Sequence, residues 1–218
     1  MVTGVQRSEP TTQRVILRYV SWATYERLLA EHEQSSSPRF TYDGGVLEIM
    51  SPSTKHERLN RSIATLCEVI AEECDIKLDN VGSNTFKRED LARGFEPDSC
   101  FYVQHVERVR DREQIDLAVD PPPDLVIEID ITRASFDRFP IFADFGVPEV
   151  WRYDGTRLTI CRLTDGVYQE HETSAAFPGV TSQIITQFMA ASTTLKRTVW
   201  LRRVRAWARQ HASEQRRC

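Results

Sequence analysis

Polar and apolar positions alternate with a period of two along residues 124–130, Asp-Leu-Val-Ile-Glu-Ile-Asp. That alternation predicts a β-strand with Leu125, Ile127 and Ile129 on one face and Asp124, Val126, Glu128 and Asp130 on the other. Pro121, Pro122 and Pro123 force an extended entry into it. A second strand is expected at 98–103, where Glu96-Pro97-Asp98 runs into β-formers and puts Asp98 at the strand start. The helical period appears at 54–74, with Leu59, Ile63, Leu66, Cys67 and Ile70 as an apolar stripe and His56 in the first turn. Residues 21–31 repeat it: Ser21 caps, and Trp22, Tyr25, Leu28 and Leu29 form the buried face.

Other elements follow from turn chemistry. Asp43-Gly44-Gly45 between the β-like runs 40–42 and 46–50 predicts a hairpin. Short strands are expected at 14–19, 76–81 and 84–88. The charged stretch 104–120 reads as a surface excursion with a helical turn or two. A helix at 135–145 is weakened by Pro140 and ended by Gly146. Strands at 149–153, 157–163 and 167–171 are joined by turns at Asp154-Gly155 and Asp165-Gly166. Helices are expected at 181–189 and 195–210, the last with Trp200, Val204, Trp207 and His211 on one stripe. The sum is an α+β or α/β fold, a mixed central β-sheet flanked by helices, with a basic amphipathic helix at the C-terminus. The expected division is a mobile arm at 1–13, one domain at 14–190, and the terminal helix at 191–218.

Composition narrows the class. The 218 residues, 40% hydrophobic and 28% charged, suit one soluble globular domain with a substantial core. No apolar run approaches a membrane span and the N-terminus has no signal-peptide core, so the expected location is the cytoplasm, with no membrane partner. Five cysteines, an odd number without CxxC spacing, argue against zinc or a disulfide framework. The net charge of -4 hides an asymmetry: the chain from Leu195 onward carries +7 and residues 1–194 carry -11. Such an acidic body excludes a generic DNA-coating protein while allowing local phosphate contacts.

The strand at 124–130 also carries the candidate chemistry. Two like charges roughly 6 to 7 Å apart on one strand face repel by about 2 to 3 kcal/mol at an effective dielectric of ~20. A divalent cation is the economical compensation, and Asp98 supplies a second ligand if its strand is the neighbour.

The chain resembles the Uma-two family of restriction-endonuclease-like proteins, a branch of the PD-(D/E)XK nuclease fold. The likeness rests on the hairpin from Tyr42-Asp43-Gly44-Gly45 to Ile49-Met50, then Ser51-Pro52-Ser53 with His56. It continues with Glu96-Pro97-Asp98, Pro123-Asp124-Leu125-Val126-Ile127-Glu128-Ile129, and Gly146-Val147-Pro148-Glu149-Val150-Trp151. The resemblance implies a phosphodiester-cleaving site in which Mg²⁺ or Mn²⁺ is held by Asp98, Glu128 and the carbonyl of Ile129. The Lys of the parent pattern, two residues after Glu128, is Asp130 here. Family members with that departure carry the Lys on the following helix, at the position of Arg138.

Each residue has a plainer reading. Asp130 is a third ligand or a solvated partner for Arg133 or Arg138. His56 is a relay or a helix-start histidine, Glu48 a cleft carboxylate or an outward strand residue, Arg138 a phosphate contact or a solvated helix residue. Lys87 is a phosphate contact or proton relay in reserve, and most simply a solvated strand residue. The Trp200 stripe packs on the body or on a second subunit, and a homodimer through that helix is one hypothesis. Two functions stand: a Mg²⁺-dependent endonuclease acting on DNA, or a catalytically impaired nuclease-fold protein that binds nucleic acid or a protein partner.

Overall fold

A computed structural model describes residues 12–132 and 136–215, the last two by backbone alone. The expected arm at 1–13 falls outside these up to residue 11, as does Arg133. Thr12 is buried and the first strand begins at Gln13, one residue before the expected strand start.

In chain order the first half is β1 (Gln13–Leu17), α1 (Trp22–Glu31), β2 (Arg39–Asp43), β3 (Val46–Ser51), α2 (Thr54–Cys74), β4 (Asp79–Gly82), β5 (Phe86–Arg88), β6 (Arg93–Phe95), β7 (Ser99–Tyr102) and α3 (Val106–Val109). The second half is β8 (Leu125–Ile129), α4 (Phe139–Asp144), β9 (Glu149–Tyr153), β10 (Leu158–Thr164), β11 (Val167–His171), α5 (Ser182–Thr194) and α6 (Arg197–Gln215). The hairpin turn uses Gly44 and Gly45, both at positive φ, where a side chain would be strained.

The expected mixed sheet is present, and a second sheet stands beside it. One has five antiparallel strands in the order β1-β3-β2-β6-β5, and the other six in the order β11-β10-β9-β8-β7-β4. The six-stranded sheet is mixed: β8 and β9 run parallel, connected through α4, and its other pairs are antiparallel. Strand β6 was not anticipated because three residues containing a glycine carry no alternation to read.

Alternation in β8 sorts its side chains as predicted. Leu125, Ile127 and Ile129 join the larger core with α2, α5 and α6, while Val126 faces a second core with Phe86, Phe95, Ile141 and Phe142. Phe86 and Phe95 come from the five-stranded sheet, so this second core joins the two sheets. The last helix belongs to the body: Trp200, Val204 and Ala208 are buried in the larger core, and Arg205 and Arg209 pair with Glu73 of α2. Its apolar stripe is therefore consumed within the chain. Among the described residues no helix is long and apolar enough to cross a membrane.

Candidate active site

Three elements meet at Asp98. Strand β7 begins one residue later, and the register that pairs Ser99 with Ile127 sets Asp98 opposite Glu128. The amide of Ile129 donates to Asp98 Oδ2 at 2.7 Å, tying the carboxylate to the backbone of β8. From α2, His56 Nε2 lies 3.1 Å from the same oxygen, and Asn60 donates to the Asp98 carbonyl at 2.8 Å. Ser53 caps α2 through the His56 amide, which fixes the turn that delivers the imidazole. Asp98 Oδ1 accepts from Arg39 Nη1, whose other nitrogen Nη2 donates to Glu57 at 2.6 Å.

Glu128 is the second centre. Arg138 Nη1 donates to its Oε2 at 2.7 Å, and Arg138 Nη2 donates to Glu48 of the hairpin. Glu48 is fully buried and also accepts from Arg14 at 3.1 Å. The other oxygen, Glu128 Oε1, is buried and has no hydrogen-bond partner. Burial pushes the Glu128 carboxyl up to about 7; Arg138 opposes the shift and Asp98 adds to it. Asp98 moves the other way: burial would raise it, but His56, then Arg39 and Arg138, hold it below the usual carboxylate range. For Arg138 burial would lower the guanidinium, and Glu128, Glu48 and Asp98 more than reverse that, so it stays charged.

The protein supplies part of the compensating charge itself, since Arg14, Arg39 and Arg138 face Glu48, Asp98 and Glu128. One expectation needs correcting, because Asp124 is spent elsewhere. Its Oδ2 accepts the amides of Val103 and His105, closing the turn after β7.

Arg138 is no solvated helix residue but a buried clamp at the N-cap of α4. Asp130 lies just past the end of β8, where Oδ2 is 3.9 Å from Arg152 and Oδ1 is buried without a partner. Of the two arginines offered for it in the plainer reading, Arg133 lies outside the described residues and Arg138 pairs with Glu48 and Glu128 instead. Lys87 is outside the site, exposed and paired with Glu26. Glu96 and Glu149, both inside the motifs of the resemblance, are structural: Glu96 accepts from the Phe40 amide and Thr85, and Glu149 from Trp151, Ser174 and the Ala175 amide. Sequence reading missed Arg39 and Arg14. Their one signal is that buried carboxylates require cations, which does not say which ones.

A cleft of about 370 Å³ opens onto Glu128, lined also by Arg14, Asp130, Phe139, Arg138 and Arg152. A larger cavity of about 730 Å³ beside α1 contains neither Asp98 nor Glu128. Among the described residues no group of three or more His, Cys, Asp and Glu side chains is spaced to hold a metal ion. Any ion here would complete its shell with water, carbonyl or phosphate oxygens, as Mg²⁺ commonly does.

A crystal structure at 1.96 Å described as "a putative nuclease belonging to DUF820", from Anabaena variabilis ATCC 29413, shares 15% identity with this chain. The match covers 83% of this chain and 98% of that one, with a TM-score of 0.47. No curated protein matches the chain. The model of the Uma2 family, described as "Putative restriction endonuclease", matches residues 22–193, well over half of the sequence, and the chain belongs to that family.

Proposed function

We propose that this protein is a divalent-cation-dependent endonuclease acting on DNA, with Glu128 at its centre. The observation that carries the reading is the orphaned Glu128 Oε1. A buried carboxylate oxygen beside a second carboxylate, facing a cleft and lacking a donor, fits a hard cation. Asp98, Glu128 and the carbonyl of Ile129 would hold Mg²⁺ or Mn²⁺, all oxygen donors of the type these ions prefer. When bound, the ion would polarise a phosphate oxygen and lower the pKa of a water.

The chain's own residues have distinct tasks in this reading. Asp98, backed by His56 and tied to the Ile129 amide, fixes the strand on which Glu128 stands. Arg138 keeps its charge and stabilises negative charge on the phosphate, but its high pKa bars it from acting as a base. Glu48 orients that guanidinium from the opposite side.

A second reading, a non-catalytic nucleic-acid or protein binder, is favoured by the arginines already set against the buried acids: Arg138 bridges Glu48 and Glu128, Arg14 meets Glu48, and Arg39 meets Asp98. Incubation of supercoiled plasmid with the purified protein separates the two. The expected result is nicking or linearisation that requires Mg²⁺ or Mn²⁺, stops with EDTA, and falls to background in Glu128→Gln. Equal cleavage by that variant, or no cleavage with either metal, contradicts the endonuclease reading.

A further inference from the structure

Resting on the cation-dependent reading above, we infer that Asp130 is a direct ligand of the ion, reaching it from the cleft side of Glu128. Two carboxylate oxygens in the described structure are buried and unpaired, Glu128 Oε1 and Asp130 Oδ1. Both residues line the same cleft. They stand two residues apart at the C-terminal end of β8, the spacing that projects side chains to one side of an extended chain. Glu128 is itself only 9% exposed, so its free oxygen is not satisfied by bulk water.

The alternatives around Glu128 are occupied. Asp98 Oδ1 is held by Arg39, and Oδ2 by the Ile129 amide with His56 at 3.1 Å. Glu128 Oε2 is held by Arg138. An ion placed only between Asp98 and Glu128 must share or break those bonds. An ion held by Glu128 Oε1 and Asp130 Oδ1, with Asp98 beside it keeping its own bonds, loosens nothing but the 3.9 Å contact with Arg152.

The placement explains a feature the parent pattern leaves idle. Asp130 stands where a Lys would be, and as a carboxylate it suits ligation and not charge donation. Two carboxylates with water and a substrate phosphate completing the shell are an ordinary set for Mg²⁺. Arg152, about half exposed beside the cleft, is then released towards that phosphate.

The test is Mn²⁺ binding by the full chain, followed by titration calorimetry and by the Mn²⁺ paramagnetic resonance signal, without substrate. Wild type is expected to bind one ion, Glu128→Gln to lose it, and Asp130→Asn to bind roughly tenfold more weakly or worse. The melting temperature of Asp130→Asn in EDTA should match wild type, since Asp130 makes one long ion pair. If Asp130→Asn binds Mn²⁺ like wild type while Glu128→Gln does not, this inference is wrong and the cation-dependent reading survives. Absence of Mn²⁺ binding by wild type overturns both.

Discussion

At the scale of single residues, the site is a set of buried charges whose partners come from distant parts of the chain. Alternation in 124–130 and the Pro-Asp start at 98 point to Glu128 and Asp98 from the sequence. Arg39 and Arg14 do not declare themselves, because nothing local distinguishes a strand arginine that will turn inward from one that faces water. Glu128 provides a pH test in metal-free buffer. Its carboxyl is raised from 4.5 to about 7, so between those values the folded chain holds a proton that the unfolded chain releases. Stability must therefore fall as pH rises through that window, by up to about 3 kcal/mol from this group. Denaturant unfolding in EDTA at pH 5 and pH 7.5 should show that loss in wild type, and the slope should flatten in Glu128→Gln. Parallel pH profiles for the two proteins would mean that Glu128 is ionised throughout.

At the scale of elements, the long helices, the mixed sheet and its hairpins were legible, and the division into two sheets was not. Capped α1 and α2 agree with their stripes to within a residue, because helical periodicity is local and both sequences carry it over several turns. Strand pairing is non-local, so the division into two sheets and the short β6 could not be read from alternation. The packing of α1 on β6 makes a specific case. A Cβ at Gly94 would lie 2.3 Å from Tyr25 Oη and 2.9 Å from Tyr25 Cζ, and Tyr25 is fully buried with its hydroxyl unpaired. Gly94→Ala should cost about 1 to 3 kcal/mol by overpacking, read as a lower midpoint in urea. Tyr25→Phe should be close to neutral, because it removes a buried hydroxyl that bonds to nothing. Combined, the two should recover part of the Gly94→Ala loss. Strict additivity would show that ring and backbone are not in the contact described.

At the scale of the whole molecule, the chain is two sheets joined by a shared aromatic core, with the candidate site at their junction. Glu48 and Arg39 come from the five-stranded sheet, Glu128 and Asp98 from the six-stranded one or its threshold, and His56 from the helix that links them. This placement explains why no single stretch of sequence contains the site. It also explains the family motifs that proved structural: Glu96 and Glu149 hold the junction and its neighbouring loop in place. The basic terminal helix, expected either to pack on the body or to meet a second subunit, does the former through Trp200 and Val204. The central claim is that this junction gathers oxygens for a hard cation around Glu128. Crystals soaked in Mn²⁺ and measured at a wavelength where manganese scatters anomalously test it most directly. The account predicts an anomalous peak within roughly 2.5 Å of a Glu128 carboxylate oxygen. A soaked crystal with no peak there, and Glu128 still held by Arg138 with its second oxygen empty, would contradict it.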